Sequence, residues 1–199
     1  MKIRTISKKD YRVSTWSGGE TQELFLFPVQ GTYQIGQFDV RLSSATVELA
    51  ESLFTSLPGY QRVIMSLDNP LSLSHQGNDS KRMVDLMPFI SHHFSGEDQT
   101  TSIGKCRDFN LIYRDGLAGE LVACYQKESV VIKSDEFVLV YALEEIRVEI
   151  FQGHQVTHAH LKRGNSVVIE EVTENCWLVL TAKNRTEKPI AVVASISES

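Results

Sequence analysis

Phe38-Asp39-Val40-Arg41-Leu42-Ser43 alternates with a period of two. An extended chain therefore carries Phe38, Val40 and Leu42 on one face and Arg41 and Ser43 on the other. Residues 62–67 repeat the pattern, with Val63, Met65 and Leu67 set against Arg62, Ile64 and Ser66. Working outward from these two stretches, the same kind of run recurs along the chain. It appears at 24–27 (closed by Pro28), 109–113, 121–125, 130–133, 137–143, 146–151, 166–172, 176–182 and 190–196. Pro58-Gly59, Asp68-Asn69-Pro70, Gly77-Asn78-Asp79, Arg114-Asp115-Gly116 and Arg163-Gly164-Asn165 lie between the runs and supply turn chemistry. Only residues 46–57 could pass for a helix. Many short strands separated by turns indicate an all-β chain of sandwiches or barrels, with less than about a fifth of it helical.

The chain has 199 residues, of which 42% are hydrophobic, enough to bury a real core. The strands divide into two halves, residues 1–118 and 119–199, which form one compact unit with a crossover expected at 120–128. A net charge of −5 offers no basic field for nucleic acid or an anionic membrane surface. No stretch approaches the roughly 20 apolar residues that span a bilayer. Met1-Lys2-Ile3-Arg4-Thr5 lacks the apolar core of a signal peptide. Three scattered cysteines, Cys106, Cys124 and Cys176, form neither a disulfide framework nor a CxxC pair. The expected location is cytoplasmic, with no nucleic-acid or membrane partner; a homodimer is compatible with the sequence.

Three ordered stretches in the first 115 residues resemble one family. Trp16-Ser17-Gly18-Gly19-Glu20-Thr21-Gln22-Glu23 resembles the tryptophan–glycine–threonine–glutamate signature of the HutD/Ves family. Residues 38–62, FDVRLSSATVELAESLFTSLPGYQR, resemble its arginine–serine strand, its phenylalanine–serine–leucine–proline–glycine segment and its second arginine. His93-Phe94-Ser95-Gly96-Glu97-Asp98 followed by residues 102–110, SIGKCRDFN, resembles its glycine–acidic and aspartate–phenylalanine–asparagine elements. From 161 to 169 the chain looks like the glycine turn into a strand of a generic cupin. The resemblance implies a bicupin of double-stranded β-helix barrels, a cytoplasmic location and a link to histidine utilisation. It implies no settled catalytic activity.

The polar residues that could carry chemistry are few. Arg41 and Ser43 share a strand face, and Arg62 follows Pro58-Gly59 into the next strand. The planar guanidinium fork suits carboxylates, so the arginines could form an anion site at a barrel mouth. Equally, either arginine could pair internally with Glu23, Asp39 or Asp108 and only lock the barrel. Trp16 could cover a ligand with Thr21 and Glu23 behind it, or tuck against the barrel on its glycines. Asp108 and Asn110 share a face and could line the same pocket, or cap a strand edge.

Metal chemistry has a weaker basis. His158 and His160 could reach one ion from one strand face, but the nearest following glutamate is Glu170 and no later histidine exists. His92 and His93, being adjacent, point to opposite faces. No cofactor and no metal are expected. Neither a Gly-x-Ser-x-Gly elbow nor a phosphate-binding loop is present.

These residues favour a metal-free, non-catalytic binding protein for a small, anionic, carboxylate-type metabolite, acting in regulation or metabolite handling. The candidate site is Arg41, Ser43, Arg62, Asn110, Trp16, Thr21, Glu23 and Asp108. One alternative is a metal-independent isomerase or hydrolase using Glu23 or Asp108 as base. The other is a structural, oligomer-forming bicupin without a ligand.

Overall fold

The computed structural model describes residues 1–77 and 81–199. Asn78 and Asp79 of the turn expected at 77–79 lie outside the described residues. Strand accounts for 61% and helix for 2%. The strands are β1 (Lys2–Ile6), β2 (Arg12–Trp16), β3 (Gly19–Phe27), β4 (Val40–Val47), β5 (Glu51–Leu53), β6 (Tyr60–Ser66), β7 (Leu71–Gln76), β8 (Lys81–Leu86), β9 (Ser91–Ser95), β10 (Gln99–Ile103) and β11 (Cys106–Arg114). They continue as β12 (Leu117–Cys124), β13 (Ser129–Ile132), β14 (Phe137–Ala142), β15 (Ile146–Gln152), β16 (Gln155–Leu161), β17 (Ser166–Glu170), β18 (Cys176–Ala182) and β19 (Ala191–Glu198).

The chain forms two compact units, Tyr11–Gly119 and Met1–Asp10 with Glu120–Ser199. The first ten residues, expected with the N-terminal half, belong to the other unit. There β1 adds an edge to β17, with Lys2 opposite Glu170 and Ile6 opposite Ser166. Its alternation is too short and too polar to reveal that distant partner. The crossover expected at 120–128 is mostly strand, because β12 runs through the unit boundary.

In the Tyr11–Gly119 unit a six-stranded sheet, β2-β3-β4-β11-β6-β9, opposes a four-stranded one, β5-β10-β7-β8. The stretch that could pass for a helix instead supplies the end of β4 and all of β5. Its apolar residues follow no 3.6-residue stripe, whereas β4 and β5 each find a partner strand. In the other unit the sheets are β1-β17-β14-β19-β12 and β13-β18-β15-β16.

The interiors of the two units differ. That of the Glu120–Ser199 unit is mainly aliphatic, with Val138, Val140, Val167 and Ile169 from one sheet and Val148, Ile150, Leu178 and Leu180 from the other. Among the described residues, the buried polar side chains are Arg41, Ser43, Ser44, Arg62, Ser66, His75, Thr100, Ser102, Asp108, Asn110 and Ser166. All but Ser166 are in the Tyr11–Gly119 unit. Buried polar groups cost free energy unless partnered, so this concentration makes the Tyr11–Gly119 unit the one to search for a candidate site.

Candidate functional site

Strand register builds the site. β11 lies between β4 and β6, and Ile112 is opposite both Arg41 and Arg62. The two arginines are therefore two strands apart in one cross-sheet row, with backbones roughly 10 Å apart at ordinary strand spacing. One row along, Asn110 is opposite Ser43 and Ile64; one row further, Asp108 is opposite Ala45 and Ser66. Alternation turns Arg41, Ser43, Arg62, Asp108 and Asn110 toward the opposing sheet, where they line a cavity of about 370 Å³. Trp16 and Thr21 line it too, so seven of the eight candidates converge on one space. Glu23 stands behind them as the partner of Arg41.

The two arginines differ in their partners. Arg41 Nε donates to Glu23 Oε2 at 3.0 Å and Arg41 Nη1 to Ser43 Oγ at 3.0 Å. A register shift between Glu23 and Phe25 bends β3 beside this pair. Arg41 is thus the internally paired arginine that the sequence allowed. Its guanidinium also lies under the Tyr33 ring, 4.1 Å from the ring centroid.

Arg62 is 2% exposed and, among the described residues, forms no ion pair. Its Nη1 donates to the Thr55 carbonyl at 3.1 Å, and its Nε reaches Asn110 Oδ1 at 3.5 Å. Phe54 and Phe94 flank the guanidinium at 4.7 and 5.4 Å. Burial lowers its pKa, an effect opposed by the nearby Tyr33 and Asp108. The arrangement is a fixed, desolvated cation whose hydrogen-bonded partners are all neutral.

Asp108 is 3% exposed. Burial pushes its pKa up to about 7, against the opposing effects of a backbone hydrogen bond from Ala45 and the charges of Arg62 and Arg107; Asp68 pushes in the same direction as burial. It is a carboxyl group poised near neutrality inside a cavity. Ser52 Oγ, buried on the wall of the same cavity, has no hydrogen-bond partner among the described residues.

Trp16 is 39% exposed and closes the β2–β3 turn over Gly18, where an added Cβ would collide with its ring. Gly19 has φ +143°, and a Cβ there would strike the Thr46 carbonyl oxygen. Trp16 is thus a rim residue, and its glycines permit both the turn and its close approach to β4.

Sequence reasoning missed Tyr33, Phe54 and Thr55, which lie between strands and carry no periodic signal. It also missed His75. That ring bonds Thr100 Oγ1 through Nδ1 at 2.9 Å and His92 Nε2 through Nε2 at 3.0 Å, and it packs on Phe94 at 4.8 Å. His158 faces Arg147 Nη2 at 3.2 Å and Glu149 on an exposed sheet surface. Among the described residues, no group of three or more His, Cys, Asp or Glu stands together as a metal site. No helix there is long and apolar enough to cross a membrane.

Comparison with known proteins agrees with this architecture. A conserved protein of unknown function from Pseudomonas aeruginosa PAO1 superposes with a TM-score of 0.78 at 24% identity, each chain covered completely. HutD from Pseudomonas fluorescens SBW25, whose structure comes from a formate condition, gives 0.72 at 20% identity, again over both whole chains. The formate complex of Lactobacillus farciminis oxalate decarboxylase gives 0.63 at 8% identity over 98% of this chain and 86% of the other, a likeness of cupin-type fold alone. No curated protein matches the sequence. The HutD family model matches residues 8–187, nearly the whole length, and the chain belongs to the HutD family.

Proposed function

We propose that the Tyr11–Gly119 unit binds a small carboxylate metabolite without transforming it, in a regulatory or metabolite-handling role linked to histidine utilisation. The observation that carries this reading is Arg62. A guanidinium set against two aromatic rings in a cavity, with no carboxylate paired to it among the described residues, is stabilised by an anion that enters and bonds its fork. The Ser52 hydroxyl, without a hydrogen-bond partner among the described residues, adds a donor on the same cavity wall. Its volume suits a metabolite of modest size.

A second reading, a metal-independent enzyme, draws on Asp108, whose pKa near 7 suits a general base. Glu23 is less suited to that role because Arg41 engages it. Calorimetric titration with formate, then with small mono- and dicarboxylates including histidine-degradation intermediates, tests the binding reading. Saturable one-to-one binding is expected, with the ligand recovered intact. Failure of every compound to bind would refute it, and turnover would transfer the case to the enzyme.

A further inference from the structure

Arg62 and Asp108 face one cavity with opposite formal charges, and the charge balance there limits what can enter. Arg41 and Glu23 offset one another at 3.0 Å, and the exposed Arg12, which does not line the cavity, approaches the same carboxylate at 3.8 Å. If Asp108 is ionised, it offsets Arg62 as well, and the cavity has no charge left for an anion. An incoming carboxylate would then set two negative groups against one guanidinium, the arrangement in which one carboxyl retains a proton.

We infer that Asp108 is a ligand-contacting residue that works as a neutral acid: a carboxylate bound at Arg62 accepts a hydrogen bond from the Asp108 O–H, so one solvent proton is taken up with each anion. This rests on the proposed anion site and adds the group that sets its charge. The proton comes from solvent and stays on Asp108; the ligand arrives and leaves as the anion.

The surroundings of Asp108 support the assignment. On β6 its register partner is Ser66, with Arg62 four residues along the same strand and close enough for its charge to act on Asp108, and Asp68 just beyond the strand; Arg107 and Cys106 neighbour it on β11. β4 presents the Ala45 backbone to it, with Arg41 farther along the same strand. From the opposing sheet, Ser52 and Ser102 bring only uncharged hydroxyls to the cavity. The Cys106 thiol, pushed up to about 12, stays neutral. Asp108, at about 7, is therefore the group that exchanges a proton near neutral pH.

The test is calorimetric titration of the intact protein with formate, an anion throughout pH 6–9, in buffers of different ionisation enthalpy. Uptake approaching one proton per formate is expected at pH 8–9. Affinity should fall with rising pH above 7, approaching tenfold per pH unit, so roughly 50-fold between pH 7 and 9. Asp108→Asn should bind formate with no proton uptake and with affinity independent of pH. Because that variant could fail to fold, the wild-type buffer series stands alone as a test. Formate binding with no proton uptake and equal affinity at pH 6 and 9 would overturn this inference while leaving the anion site intact. Absence of formate binding at every pH would overturn this inference, and failure of every carboxylate tested would overturn the anion site as well.

Discussion

Replacing Arg62 with lysine separates a binding arginine from a purely structural one. The substitution keeps a positive charge but removes the planar fork. In the resting protein it deletes the 3.1 Å bond from Nη1 to the Thr55 carbonyl, a charge-assisted contact worth about 1.5–3 kcal/mol. The Nε contact to Asn110 Oδ1, at 3.5 Å, adds little. Weakened cation–π contact with Phe54 and Phe94 adds about 0.5–1 kcal/mol. The variant should therefore be roughly 2–4 kcal/mol less stable, read by urea denaturation. Carboxylate binding should weaken by a further 1.5–3 kcal/mol, about 10- to 150-fold in Kd, because a single ammonium cannot make the paired contact. Calorimetry of wild type and variant with the same ligand supplies that number. Wild-type affinity in a measurably destabilised variant would refute the binding role and leave Arg62 as a structural strut. Wild-type stability with weakened binding would instead refute the packing argument.

Other perturbations follow from the same geometry. Trp16→Ala, at a rim position 39% exposed, should cost only about 1 kcal/mol by thermal or urea unfolding. A loss of about 3–5 kcal/mol, the scale of a buried aromatic, would show that the ring is core. Gly19→Ala should lose roughly 2 kcal/mol or more, measured the same way, because the Thr46 carbonyl and a φ of +143° both oppose a side chain. The His75–His92 pair predicts an acid-sensitive fold. Burial first, then His92 and Arg82, lower the His75 pKa from 6.5 to about 4, so between those values the unfolded chain binds the extra proton. Stability contributed by neutral His75 is whole above pH 6.5 and is lost as pH falls toward 4. Melting temperatures measured from pH 7 to 4 should show the fall, and His75→Gln should flatten it; an equal fall in that variant would assign it to other groups.

Much of the architecture was legible because a strand declares itself locally. β18 coincides with the expected run at 176–182, and β4, β6, β11, β14 and β15 fall within a few residues of theirs. β2, β7, β8, β9 and β10 did not stand out. Lys81-Arg82-Met83-Val84-Asp85-Leu86, for example, buries only Leu86, so its pairing with β7 leaves almost no apolar alternation. β1 escaped notice for a related reason. What holds it is a ladder to β17, with partners 160 to 168 residues away, rather than any pattern of its own.

At the site, sequence alone determined which residues share a face: Arg41 with Ser43, and Asp108 with Asn110. Side-chain alternation is a property of each strand by itself and needs no partner. Tertiary structure decided the rest. Register set Ile112 between Arg41 and Arg62, and so fixed their spacing. A neighbouring strand gave Arg41 its carboxylate in Glu23, whereas Arg62 received the Thr55 carbonyl and two aromatic rings. No spacing along the chain distinguishes the paired arginine from the unpaired one, because pairing depends on which side chains adjacent strands bring within about 4 Å. Burial, likewise a property of the assembled sheets, pushed the Asp108 pKa up to about 7.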